Sequence, residues 1–138
     1  MEIEAKFTVP DRETFQHLLE AQSLGGLALG AGSVIQIQDR YLDTAEGALR
    51  AQGYACRLRR QNGSFVGGLK GLGQSVGAVH RRVEVEVELP RPLPPSEWPP
   101  GPARELALQL SESRPLHPLL AIGQTRHSRP ILFDGRAI

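Results

Sequence analysis

Hydrophobic and polar positions alternate with period two at the start of the chain. Glu2, Glu4 and Lys6 point one way and Ile3, Ala5 and Phe7 the other, which predicts a strand with one charged and one apolar face. At about 3.3 Å per residue the two carboxylates lie roughly 6.6 Å apart. Their repulsion is about 2.5 kcal/mol at an effective dielectric near 20. A strand facing water tolerates this, whereas one facing a cavity calls for a cation.

The pattern changes to helical spacing after Pro10-Asp11, where Phe15, Leu18 and Leu19 recur at i, i+3, i+4 and Asp11 and Glu13 occupy the first turn. His17 reads as an exposed residue of this helix. Residues 23–33, rich in Gly, Ala and Ser, read as a loop. Strands are expected over 34–43, 54–60 and 64–70, with a turn or cap at 43–47 and a hairpin turn at Asn62-Gly63. A glycine-rich loop (Gly71, Gly73, Gly77) follows. The clearest alternation is at 81–89, where Val83, Val85, Val87 and Leu89 interleave with Arg82, Glu84, Glu86 and Glu88. Seven prolines between 90 and 102 predict a stiff connection in which Trp98 packs as an anchor. A second helix is predicted over 103–112, and a last strand over 119–133, bent at Pro130. Asp134-Gly135 announces one more hairpin, whose return strand has barely begun at Ile138. The expectation is a single domain over residues 1–138, cut before its C-terminal strands. Six strand candidates and two helices with hairpin signals argue for an α+β fold built on an antiparallel sheet or barrel.

Composition narrows the chemistry. A net charge of +1 gives no reason to expect general nucleic-acid binding. Arginines outnumber lysines fourteen to two; base composition explains the surface ones, but not their clustering on strand faces. Cys56 is the only cysteine, so no intrachain disulfide forms, which suits a reducing, cytoplasmic setting. It reads as a packing residue. No apolar run approaches the roughly 20 residues of a membrane span.

Laid side by side, the strands repeat one arrangement: Glu2, Glu4 and Lys6; then Arg57 and Arg59; Lys70; Arg82, Glu84 and Glu86; and finally Arg126, with Arg129 beyond it. One such face in water is ordinary. Several together, segregated into acidic and basic pairs, suggest a closed or nearly closed sheet whose charged side lines a lumen. Carboxylates are hard ligands suited to Mg²⁺ or Mn²⁺, and Arg and Lys neutralise phosphate charge. Gly67-Gly68-Leu69-Lys70-Gly71 lacks the spacing and hydroxyl of a phosphate-binding loop of the Walker type. No His/Cys zinc spacing and no nucleophile elbow occur.

The segments in order resemble the CYTH superfamily, the triphosphate tunnel metalloenzymes. Glu2-x-Glu4-x-Lys6 is similar to its opening signature, and Gln38-Asp39-Arg40-Tyr41-Leu42-Asp43-Thr44 to its second-strand segment. Leu49 with Arg57-Leu58-Arg59-Arg60, Leu69-Lys70-Gly71 and Arg82-x-Glu84-x-Glu86 follow the same order. The resemblance implies an eight-stranded antiparallel tunnel with flanking helices that binds triphosphates with a divalent metal. By position it makes Glu2 and Glu4 metal ligands, with Glu84 and Glu86 completing the acidic lining. Lys6, Arg57, Arg59, Lys70, Arg82 and Arg126 become phosphate ligands, and Glu4, Lys6 and Glu86 the groups nearest catalysis. Gly68 stands where the family often has Thr, and the family's C-terminal Glu-x-Glu strand would lie beyond Ile138. Open edges left by a truncated tunnel predict pairing of two copies. The expected activity is hydrolysis of inorganic triphosphate or another triphosphate. The alternatives are a class IV type adenylate cyclase acting on ATP and a non-catalytic polyphosphate or nucleotide-binding module.

Overall fold

The computed structural model describes residues 2–76 and 79–138, without the side chains of residue 2 and residues 74–82. The order of elements is β1 (Glu2–Ala5), α1 (Arg12–Glu20), β2 (Ser23–Leu24), β3 (Leu27–Leu29), β4 (Ser33–Asp43), α2 (Ala48–Ala51), β5 (Tyr54–Gln61) and β6 (Ser64–Gly71). There follow β7 (Gln74–Val76), β8 (Val79–Arg82), β9 (Glu84–Leu89), α3 (Pro102–Ser111), β10 (His117–Ser128), β11 (Ile131–Phe133) and β12 (Arg136–Ala137). All the pairings are antiparallel where the register is defined. No helix is long and apolar enough to cross a membrane among the described residues.

The strands sort into three sheets, in the orders β1-β8-β7, β10-β4-β5-β6-β9 and β12-β11-β3-β2. Among the described residues they do not join into one ring, so the closed tunnel expected from the sequence is not what the pairings give. The chain divides into two compact units. The first contains Ile37–Gln124 and the opening strand, the second Phe7–Gln36 and Thr125–Ile138.

In the first unit, the β5–β6 hairpin turns on Asn62 and Gly63, both in the left-handed region (φ 49° and 79°), which a two-residue turn of this kind requires. Its register runs unbroken from Gln61↔Ser64 to Tyr54↔Gly71. Every second residue, Tyr54, Cys56 and Leu58, joins Leu42, Leu69, Val85 and Leu89 in one hydrophobic cluster with Trp98, Ala103, Ala107 and Leu110. Trp98 lies close against the backbone at Gly67, where an added Cβ would meet its ring at 2.5 Å. Its indole N–H donates to the Leu93 carbonyl at 2.8 Å, so one side chain holds the proline-rich connection against the sheet. Pro102 occupies the first turn of α3, where its missing N–H costs nothing. Gln52 donates to the carbonyls of Ala48 and Leu110, both at 2.8 Å, tying α2 to α3.

The predicted continuous strand over 81–89 is two strands. β8 pairs with β1 and β9 pairs with β6, and the break falls at Val83, whose carbonyl accepts from Gly71 N–H at 2.8 Å. Alternation alone reads straight through a residue at which a chain changes sheets. Residues 23–33 also differ from expectation: Gly25 and Gly26, at φ 58° and 80°, make the turn of a β2–β3 hairpin.

In the second unit, α1 starts where predicted. Asp11 caps it by accepting from Thr14 N–H at 2.7 Å, and this bond holds its carboxyl below the usual range. Arg129 gathers carbonyls at the other end, donating to Gly30 (3.0 Å), Leu19 (3.3 Å) and Ala21. A cation there complements the negative end of the helix, so Arg129 is engaged in holding this unit together. The bend before β11 falls at residues 129–130, as Pro130 predicts.

Candidate functional site

The site is built on the second face of the central sheet. The register sets up two cross-strand rows on β4, β5, β6 and β9: Tyr41–Arg57–Gly68–Glu86, and Asp39–Arg59–Val66–Glu88. Beside them Lys70 stands opposite Glu84. Side chains directly across an antiparallel pair interact, so the alternation read from sequence becomes a patch of mixed charge.

The β4–β5 part of this face is withdrawn from water. Asp39 is 3% exposed and Arg57 8%. Ionised groups this buried require partners, and both have them. Arg59 donates Nε and Nη2 to the two oxygens of Asp39, each at 2.8 Å, a bidentate fork. The Asp39 carboxylate is the main reason the Arg59 guanidinium is held even more firmly protonated than usual. Arg57 Nη2 lies 3.3 Å from Glu86 Oε1 and 3.4 Å from Glu84 Oε1, so two carboxylates on β9 converge on one guanidinium. These contacts are longer than the Asp39 fork. The Glu86 side chain keeps 46% of its exposure, so this corner is open to solvent.

The remaining predicted residues divide as follows. Glu4 and Lys6 on and beside β1 form an ion pair at 3.2 Å. Glu2 and Arg82 stand opposite each other in the β1–β8 register, but their side chains lie outside the described residues. Arg126 is exposed on β10, within the second unit. The structure thus brings together Arg57, Glu84 and Glu86, pairs Glu4 with Lys6, and gives Arg59 a partner in Asp39. Sequence reading quoted Asp39 only as part of a segment and gave it no role; its period-two position with Tyr41 and opposite the arginine strand was the available signal. Among the described residues, no three His, Cys, Asp or Glu side chains gather closely enough to hold a metal ion.

Two neighbouring residues serve the frame. Asp43 is buried and accepts from the N–H groups of Thr44 (2.7 Å), Leu49 (2.9 Å) and Arg50 (3.2 Å), which fixes α2 after β4. Cys56 is wholly buried on the apolar face, and burial, with the charge of Asp43, pushes its thiol up to about 12. It is the packing residue that its neighbours in sequence suggested.

Comparison with known proteins supplies the frame for this geometry. A profile of the CYTH domain matches residues 1–133. Among solved structures, the chain is similar to a candidate adenylyl cyclase from Hippeastrum, described as having a dominant triphosphatase activity. The two share 27% identity and a TM-score of 0.55 over 64% of this chain and 41% of that one. It is also similar to a candidate adenylate cyclase from Bacillus halodurans, at 19% identity and a TM-score of 0.57 over 99% of this chain and 78% of that one. The second likeness is one of fold. The match spans 41% of the length of the Hippeastrum protein.

Proposed function

The chain belongs to the CYTH domain family, and from that premise we propose that it binds a triphosphate on the charged face of β5, β6 and β9 and hydrolyses a terminal phosphoanhydride bond with a divalent metal. One observation carries the reading: Arg57, nearly buried, is held between Glu84 and Glu86 by contacts of 3.3–3.4 Å. That is an arrangement ready to exchange partners. Phosphate oxygens take the Arg57 guanidinium, joined by Lys70 and by Lys6, and the two carboxylates are released. Arg59 keeps its Asp39 fork and contributes a fixed positive field beside the phosphates.

By donor type, though not as a cluster already gathered among the described residues, these carboxylates suit Mg²⁺ or Mn²⁺. The candidate donors are all carboxylates, and such ions retain waters and take only one or two carboxylates, completing their shell from substrate phosphate. Glu84 and Glu86, two residues apart on β9, or Glu2 and Glu4 on β1 would supply that pair. When bound, it polarises phosphoryl oxygens and acidifies water. Glu86, the most solvent-open of the described acidic pair, is placed to orient the attacking water and accept its proton. Hydrolysis is preferred to cyclisation of ATP because the Hippeastrum relative, at 27% identity, is described by a dominant triphosphatase activity.

Phosphate release from inorganic triphosphate with Mg²⁺ or Mn²⁺, followed together with cyclic AMP formation from ATP, tests the reading. Glu86→Gln is expected to lower phosphate release by about 10² or more while triphosphate still binds. Full activity in Glu86→Gln, or cyclic AMP as the main product, overturns it.

A further inference from the structure

A cleft of about 410 Å³ opens within the first unit, and none of Arg57, Glu84 and Glu86 lines it. Residues 38–40 and 58–60, including the Asp39–Arg59 pair, line it from the sheet with Phe65, and Pro92 with Ala121–Gly123 of β10 complete the lining. Its volume lies in the range of small-molecule sites, which combine apolar walls with a few placed polar groups.

The charge of this cleft differs from that of the Arg57 cluster. Arg57 and Arg59 are both matched by carboxylates, and Arg114 by Glu46. Arg40 and Arg60 have no acidic partner among the described residues. Asp39 borders the cleft, but both of its oxygens are taken by Arg59. The cleft therefore carries two uncompensated guanidiniums. The register puts Arg40 across from Leu58 and Arg60 across from Gln38, two rungs apart on neighbouring strands, a same-face diagonal that long side chains span. Arg60 rests over the Phe65 ring at 5.9 Å, a contact that orients a guanidinium without neutralising it. Below the two arginines, Leu58, Phe65, Pro92 and Ile122 form apolar walls, and Gly123 leaves room between them.

We infer that this cleft is a second binding site, for a small anion that joins a phosphate monoester to a flat apolar body. The phosphate lies between Arg40 and Arg60, and the flat body fills the space against Leu58, Pro92 and Ile122. Guanidiniums recognise phosphate bidentately, and the apolar walls separate this ligand from inorganic phosphate or triphosphate. The inference is distinct from the hydrolytic reading, because Arg57, Glu84 and Glu86 are not in the lining and the shared wall residue Arg59 is already paired with Asp39.

Phenyl phosphate and inorganic phosphate are the probes, with binding read by calorimetry and by NMR shifts on the intact chain. Phenyl phosphate is expected to bind saturably and at least about tenfold more tightly than inorganic phosphate, as burial of a ring predicts. Arg40→Gln and Arg60→Gln each weaken it about tenfold, while triphosphate binding stays unchanged. Both side chains are exposed, so an unaltered Tm verifies that the variants fold. Arg57→Gln is expected to leave phenyl phosphate binding intact. No saturable binding, equal affinity for inorganic phosphate, or insensitivity to both substitutions overturns the site. Competition between triphosphate and phenyl phosphate for one site overturns it as well.

Discussion

The two faces of the β4–β5–β6–β9 sheet are made from alternate residues of the same strands, yet they fill their surroundings by opposite means. On one, Leu42, Cys56, Leu69 and Leu89 close over Trp98 and α3 by shape alone. On the other, Asp39 and Arg57 are almost as hidden from water as those leucines, and they are tolerated there only through charge partners. Apolar packing is indifferent to ligands. A buried lattice of ion pairs is costly to desolvate and is therefore poised to trade one set of partners for another. The difference assigns stability to the first face and, under the proposed function, exchange of partners to the second.

Breaking the apolar face is expected to have the largest effect. Trp98→Ala removes the buried ring and the bond to Leu93, at about 4 kcal/mol, read by chemical denaturation. On the charged face, Asp39→Asn leaves Arg59 without its counter-charge and is expected to cost about 3 kcal/mol. The double variant Asp39→Asn/Arg59→Leu recovers part of that loss, and additive losses would show that the fork contributes nothing of its own.

Adjacent glycines sharpen the contrast further. Gly67→Ala drives a methyl to within 2.5 Å of the Trp98 ring and is expected to cost about 2 kcal/mol. Gly68→Ala meets only the Glu86 side chain and the Val85 carbonyl, both at 3.4 Å, and is expected to stay under about 1 kcal/mol. Equal effects would mean that the two faces are not packed differently.

The last effect vanishes at neutral pH and appears only in alkali. The native Cys56 thiol titrates at about 12 against a reference of 9.0, so the folded state holds this proton longer than the unfolded one. Its contribution is complete below pH 9 and is lost as pH rises from 9 toward 12, by at most about 1.4 kcal/mol per pH unit. Cys56→Ala is expected to flatten that alkaline decline in Tm.

Local rules made much of this legible. Asn62-Gly63 and Asp134-Gly135 announced their hairpins because a two-residue turn demands left-handed backbone, and Asp11 announced α1 because a carboxylate satisfies its open N–H groups. The period-two charges of Arg57, Arg59, Glu84 and Glu86 gave the face they share. What stayed hidden depends on tertiary partners. Val83 looks like any strand valine, and only the separate pairing of β8 with β1 and β9 with β6 shows that the chain changes sheets there. Arg59 reads as a cation awaiting a ligand until Asp39, twenty positions earlier, is set beside it by the register. The cleft between Arg60 and Ile122 joins residues more than sixty positions apart, beyond the reach of any local pattern.

Trp98 is the chain's sole tryptophan, and it is sealed on the leucine side of the sheet with 1% of its surface accessible. Intrinsic fluorescence of this protein is therefore a one-sided gauge. A blue emission reports that the prolines and the last helix are seated, and a red shift reports their release. Events among the arginines and glutamates across the sheet pass without optical trace unless Tyr41 is made their reporter.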